Sequence, residues 1–362
     1  MGVGFFPCIK GGCGMHILIT GGAGFIGSNL TEYHLAQGHK VHAIDDLSTG
    51  NLDNLTPFLS NPDFRFGQDD ILTWSGLEKA VTWADRIYHL AAVVGVFRVL
   101  ENPVKVLAIN IAATERVLRM AHAGNWSPQI LLASSSEVYG NGLQHPRPTV
   151  PSGLGHTVEE EQPEQLVEDF SEDMEPMVGS SAVSRWNYAT SKLAAEAMGL
   201  SYARKFGSHL VAARLFNTIG PRQRGRYGMV VPRFVHQATS GQPITVFGDG
   251  LQMRSFCDVR DTIAALDLLL GNPASSGEIV NVGNNREISI LELAELVRTL
   301  ADSRSEIKFI PHDEAYSEKF VETQRRKPNL DKFFRLTGYR HQWSLEATIS
   351  DLIARQKKII TG

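Results

Sequence analysis

The sequence predicts an α/β protein built on a doubly wound parallel sheet with a smaller C-terminal lobe. Three observations predict it. Short apolar runs alternate with amphipathic stretches from residue 16 to residue 282. A glycine-rich turn, Thr20-Gly-Gly-Ala-Gly-Phe-Ile-Gly27, joins the first apolar run to the first amphipathic stretch. The second apolar run closes on an acidic pair, Asp45-Asp46.

Residues 16–19 read as a short buried strand and 25–35 as a helix. Gly21, Gly24 and Gly27 recur every three residues, and Gly22, Gly24 and Gly27 also satisfy G-x-G-x-x-G. Glycine at these places permits a tight turn, close approach of backbone to a pyrophosphate, and helix-on-strand packing. The helix start at Phe25 and Ile26 offers free N–H groups and the positive end of its dipole to that phosphate. A strand at 40–44 then leads into Asp45, 18 residues beyond Gly27, where a Rossmann-type fold places a carboxylate for the ribose 2′-hydroxyl. The same charge repels a 2′-phosphate, so NAD is expected over NADP.

Residues 64–66 read as a third strand leading to Asp69-Asp70-Ile71. A fourth, 86–90, ends in His89-Leu90-Ala91-Ala92, whose small residues let a flat cofactor lie against the backbone. His89 alone reads as a structural histidine. A long helix is expected over 103–122 and a fifth strand over 129–133. That strand delivers Ser134-Ser-Ser-Glu-Val-Tyr-Gly140 to the carboxyl edge of the sheet, where such folds bind ligands. Hydroxyls there suit a substrate alcohol, and serines at strand ends are equally common turn chemistry.

Between residues 141 and 184 prolines and an acidic run interrupt the alternation. This excursion reads as a solvated loop by default and as a substrate lid in the sharper reading. Tyr188 and Lys192 then share a helix face at i,i+4. A tyrosine hydroxyl titrates near ~10, and an ammonium beside it, with a nicotinamide cation nearby, favours the phenolate. Such a tyrosine can exchange a proton with a sugar hydroxyl. Residues 209–215 form a sixth strand, followed by Asn217, Gly220-Pro-Arg222, Arg224 and Arg226, then by Pro232-Arg-Phe234 and Arg254. Guanidiniums near a cleft suit a diphosphate, although surface salt pairs account equally for each arginine alone. A helix at 261–270, a strand at 278–282, a helix at 290–301 and an α-rich end from 325 to 360 complete the chain.

At 362 residues the chain can bury a full core and divide into two domains. With 43% hydrophobic and 20% charged residues it has the composition of a soluble globule, and a net charge of −4 gives no case for nucleic acid. Three cysteines, Cys8, Cys13 and Cys257, provide neither a disulfide framework nor a zinc site, which points to a reducing cytoplasm. No apolar run is long enough for a membrane span. Residues 1–14 lack the apolar core of a signal peptide and read as a disordered leader, or as sequence upstream of a start at Met15.

From Met15 to about Ile353 the chain resembles the extended short-chain dehydrogenase/reductases that modify nucleotide sugars. The resemblance rests on the glycine turn, Asp45, His89-Leu-Ala-Ala92, Asn110, Ser135 through Gly140, Tyr188-x-x-x-Lys192, Asn217, Arg254 and Arg326-Lys-Pro-Asn329. It implies NAD as cofactor, held by Gly21, Gly24, Phe25, Ile26, Gly27, Asp45, Asp46, Leu90, Ala91, Ala92, Asn110, Tyr188 and Lys192, with Asp70 and Ile71 at the adenine. It implies Tyr188 as base, Lys192 as its partner and ribose ligand, and Ser135 as hydrogen-bonding hydroxyl, with Ser136 and Glu137 beside them. Asn217, Arg222, Val231, Arg233, Arg254 and Arg326 would hold the nucleotide sugar, and no metal is expected. Asn329 stands where the family usually has aspartate, and the stretch 141–172 is longer than in most members.

The expected division is an NAD-binding Rossmann domain at 15–217, with 255–282 returning to it, and a nucleotide-sugar-binding lobe at 218–254 and 283–362. The expected activity is 4-epimerisation of a UDP-hexose or UDP-hexuronate through a 4-keto intermediate. UDP-glucuronate decarboxylation is the alternative, then 4,6-dehydration, then a non-catalytic NAD sensor or scaffold. Glu137, Arg254 and Arg185-Trp186 resemble the decarboxylase branch, whereas Ala92-Val-Val-Gly-Val-Phe97 and Arg214-Leu-Phe-Asn-Thr-Ile-Gly220 resemble the broader epimerase group. The resemblance further implies a homodimer, and the composition implies a cytoplasmic protein with no nucleic acid or membrane partner.

Overall fold

The computed structural model describes residues 14–95, 101–124, 126–140, 169–225, 229–311 and 325–361, together with the backbone at 143–144 and 165–166. The expected leader and most of the 141–184 excursion lie outside the described residues.

Seven strands make one parallel sheet: β1 (His16–Thr20), β2 (Lys40–Asp45), β3 (Phe64–Gln68), β4 (Arg86–His89), β5 (Gln129–Ser135), β6 (Leu210–Leu215) and β7 (Ile279–Val282). Their order is β7-β6-β5-β4-β1-β2-β3, so winding reverses between β1 and β4. Each expected strand is present. The strands are apolar almost throughout because helices cover both faces. One face meets helices α1 (Phe25–Ala36) and, much later in the chain, Val259–Gly271. The other meets α2 (Leu77–Trp83), α3 (Pro103–Ala121) and α4 (Asn187–Phe206). Pro103 starts α3, where a missing N–H costs nothing, and Gly207 ends α4 in the left-handed region, at φ 65.

A second core gathers α5 (Val230–Thr239), α7 (Ile290–Leu300) and α9 (Leu345–Thr361) around Phe234, Leu293 and Ile349; α6 is the Val259–Gly271 helix. A capping box between Ser289 and Glu292 starts α7. The sequence reading missed α2 and α5, both short, and a parallel strand pair, Ile244–Phe247 with Ile307–Ile310. It also placed 283–362 wholly in the lobe. Leu330 and Phe333, the latter on α8 (Asp331–Thr337), instead pack into the first core, beside β7 and the Val259–Gly271 helix. The Asp261 carboxylate holds that return by accepting from Tyr339 Oη at 2.7 Å, Gln342 N at 2.8 Å and Trp343 N at 3.0 Å. Among the described residues no helix is long and apolar enough to cross a membrane.

Two histidines are sealed in the first domain. His34 has no hydrogen-bond partner on either ring nitrogen, and His89 bridges Thr20 and Thr114. Burial pulls each down to about 3, with Lys192 adding to the effect at His89. Between that value and the ordinary ~6.5 of an exposed histidine the unfolded chain binds more protons than the folded one. Their contribution is therefore present above about pH 6.5 and is lost as pH falls toward 3. We expect the thermal midpoint to fall steeply below pH 6.5 and His34→Leu to flatten that slope; equal slopes in a pH series of melts would remove His34 as a cause.

Candidate active site

The reversal between β1 and β4 opens a crevice at the carboxyl ends of both strands. Leu90 N donates to Thr20 O at 3.1 Å, and Gly21 turns away at φ 72 with its α-carbon so close to Ala91 that a Cβ would meet Ala91 N at 2.9 Å. A side chain at Gly27 would run into the Gly21 carbonyl, and one at Gly22 would meet Ala43 Cβ at 2.5 Å. Gly24 begins α1 with no side-chain cap and no acid in the first turn, and with Phe25, Ile26 and Gly27 it lines a cavity of about 590 Å³. Asp45 is fixed by Ala23 N at 3.0 Å and Leu47 N at 2.8 Å, in space that Gly50 leaves open. Burial raises its pKa, and those two amides oppose the rise. Asp46, Asp70, Ile71, Leu90, Ala91 and Ala92 line the same end. An anion seat followed by an oriented carboxylate is what a dinucleotide requires, and the residues present fit NAD.

Asn110 does not reach the cavity. Its carboxamide accepts from Val93 N at 2.7 Å and donates to Val93 O and to Ser191 Oγ at 3.0 Å, so it struts the Ala92–Val93 backbone. Thr20 was overlooked, yet its hydroxyl accepts from Ala91 N at 3.2 Å and meets His89 Nδ1 at 2.8 Å.

At the middle of the cavity β5 ends in Ser135, whose hydroxyl accepts from Glu137 N at 3.2 Å and hydrogen-bonds the Tyr188 phenol. Ser136 lines the wall beside them. The depression expected of Tyr188 calls on a nicotinamide cation beside it, and the protein's own groups act the other way. Burial and the Glu137 charge push the phenol up, against the Ser135 hydrogen bond. Lys192 directs its ammonium to Ala133 O at 2.7 Å and lies 5.8 Å from the Tyr188 ring centroid. Its own pKa falls to about 8, through burial opposed by Glu196.

The far wall comes from the lobe. A three-stranded sheet joins Met253–Ser255 antiparallel to Glu287–Ser289 and parallel to Arg325–Arg326, with Arg254 and Arg326 as register partners. Arg326 pairs with Glu137 and donates to Gly140 O at 3.3 Å, while Arg185 approaches Glu137 at 3.8 Å. Burial works to raise the Glu137 carboxyl, but the charges of Arg326, Arg185 and Arg254 hold it below the ordinary range. Asn217 Nδ2 donates to Ser255 O at 3.0 Å, and Val231 lines the wall fully buried. Arg233 donates to Thr245 Oγ1 at 3.1 Å and lies 3.9 Å over the Phe247 ring, a lining residue the sequence did not single out. Arg222, expected among the sugar ligands, lines the cavity as well; it has φ 71, pairs with Glu32 of α1 and lies 5.5 Å over Phe58. That guanidinium ties the lobe to the first domain. Arg226 lies outside the described residues.

Asp45 generates the prediction for the cofactor. Calorimetry should find NAD bound roughly 10-fold or more tighter than NADP, the scale of one lost ion–dipole contact plus repulsion. Asp45→Ala should narrow that ratio, and a ratio already near unity in the wild type would remove the role.

Known proteins share this architecture. A UDP-N-acetyl-alpha-D-glucosaminuronate decarboxylase of Bacillus cytotoxicus is 33% identical over 341 residues, covering 93% of this chain and 96% of that protein. A UDP-glucuronic acid decarboxylase 1 of Danio rerio is 34% identical over 337 residues, 93% of this chain and 71% of its own. The solved UDP-glucuronic acid 4-epimerase of Bacillus cereus, in complex with UDP-glucuronic acid and NAD, superimposes with a TM-score of 0.78 at 26% identity, over 95% of this chain and all of that one. The profile of the NAD dependent epimerase/dehydratase family matches residues 17–283, and with this cofactor crevice and Tyr/Lys pair the chain belongs to that family, within the extended short-chain dehydrogenase/reductases.

Proposed function

We propose that the protein oxidises C4 of a UDP-hexuronate and then releases the sugar carboxylate as carbon dioxide. The observation that carries this reading is Glu137 set among Arg185, Arg254 and Arg326 beside Tyr188. Guanidiniums gathered at the sugar end suit a substrate bearing a second anion besides its diphosphate. Glu137 is held in its charged form, so its part is to fix Arg326 and Arg185, not to donate a proton.

The chemistry NAD supplies in the crevice is hydride acceptance at the sugar carbon, and its cationic ring opposes the upward pull on the phenol. Tyr188 takes the proton from O4, with Ser135 holding the oxygen in line. The resulting ketone lies β to the C6 carboxylate. The C5–C6 bond then breaks, carbon dioxide leaves, and the electron pair remains as an enolate that takes a proton from water at C5; return of the hydride to C4, with Tyr188 giving its proton back to O4, would then leave the UDP-pentose. Arg254 and Arg326, side by side on parallel strands, would hold the carboxylate out of the plane of the ketone. The curated relatives named above carry decarboxylase names, which supports this fate. A second reading, C4 epimerisation of the same uronate, takes its support from the Bacillus cereus epimerase and from the Ala92-Val-Val-Gly-Val-Phe97 run.

Two outcomes are expected. Purified protein given UDP-glucuronate labelled at C6 should release labelled carbon dioxide and a UDP-pentose, and Glu137→Gln should slow this roughly 10²-fold. A product of unchanged mass, epimeric at C4 by NMR, would replace the first reading with the second. Tyr188→Phe should fold and retain NAD while turnover drops roughly 10²–10⁴-fold. Near-normal turnover there would place the base elsewhere.

A further inference from the structure

Behind the turn that carries Ser135 and Glu137 lies a charged pair with no part in the steps above. Glu196 of α4 and Arg214 of β6 are each 2% exposed. Arg214 grips the carboxylate at two points, Nε to Oε1 at 2.9 Å and Nη2 to Oε2 at 2.8 Å. Burying such a pair is costly, and apolar side chains of similar volume commonly do as well or better for stability. Two further contacts give the pair a task. Ser134, the residue before Ser135, donates its hydroxyl to Glu196 Oε1. On the other side the Arg214 guanidinium lies 4.7 Å from the Tyr139 ring centroid, and Tyr139 Oη donates to Asn281 Oδ1 at 2.8 Å. The pair therefore holds both ends of the segment that presents Ser135, Ser136 and Glu137. Glu196 also stands four residues after Lys192, on the same face of the same helix.

We propose that Glu196, gripped by Arg214, is a positioning residue for the reaction: it fixes Ser134, and through it Ser135 and Glu137, and it sets negative charge one helical turn from the Lys192 ammonium. The groups facing Lys192 are Glu196 and Tyr188 on its own helix, the Ala133 carbonyl of β5 and neutral His89 of β4, with Arg214 of β6 behind Glu196. Within that set Glu196 is the charge that opposes the downward pull of burial on Lys192. The inference rests on Tyr188 and Lys192 as the proton-handling pair, whichever fate the ketone meets.

The test uses the full chain with ¹⁵N-labelled lysine, the Lys192 signal being identified by its loss in Lys192→Met, with UDP-glucuronate turnover measured in parallel. Glu196→Gln should lower the Lys192 midpoint by about one pH unit, a tenfold change in its protonation ratio, and move the basic limb of kcat downward by the same amount. Glu196→Asp keeps the charge but withdraws it from Ser134. Its Lys192 midpoint should stay while kcat falls roughly 10-fold at unchanged KM. An unmoved midpoint in Glu196→Gln, or wild-type kcat in Glu196→Asp, overturns the proposal. If Glu196→Gln does not fold, the double variant Glu196→Gln/Arg214→Met, which removes both charges together, replaces it in the same titration. If UDP-glucuronate is not turned over, the midpoints alone decide, and only the proposed substrate falls.

Discussion

Seven strands running in one direction bring all their carboxyl ends, and the loops that follow them, to one edge of the sheet. Right-handed crossovers carry the chain outward one way from β1 to β3 and the other way from β4 to β7. The loops leaving β1 and β4 must therefore diverge, and the crevice between them is a consequence of winding. Everything at the cofactor end follows from it. Gly21 and Ala91 can approach because no crossover passes between them, and α1 points an uncapped N-terminus into the gap because β1 feeds it there. Asn110, Thr20 and His89 stiffen the two lips with hydrogen bonds.

The reactive end depends on a second constraint, the cost of charge in a dry cleft. Arg254 and Arg326 are register partners on adjacent strands of the lobe, a placement that like charges oppose. Glu137 reaches across from β5 to Arg326, so the electrostatic balance of the site exists only when both cores are in place. The described end of the excursion reinforces this closure. Phe170 exchanges backbone hydrogen bonds with Lys327 and Asn329 at 2.8 Å each, and Glu172 accepts from Asn281 N at 2.7 Å on β7. Inside the first domain the same logic recurs with Glu196 and Arg214, where a buried acid is answered by a buried base and both are tied to the strand end they support.

The sequence by itself determined the periodic parts: seven parallel strands, the longer covering helices, the glycine turn, Asp45, and the Tyr188/Lys192 spacing. These were legible because strand and helix periods, glycine sterics and i,i+4 geometry are local properties that a chain carries without its tertiary contacts. The surroundings of Tyr188 were not local: burial and a carboxylate at the end of β5 push the phenol up from outside its helix. Asn110 and Arg222 were placed by motif alone, while their partners, Val93, Ser191 and Glu32, lie 17, 81 and 190 residues away. The return of Leu330 and Phe333 to the first core, the pairing of Arg254 with Arg326, and the meeting of Glu196 with Arg214 were decided only by tertiary structure. An arginine within an apolar strand could have signalled a buried acid, but which acid answers it depends on where a separate helix packs.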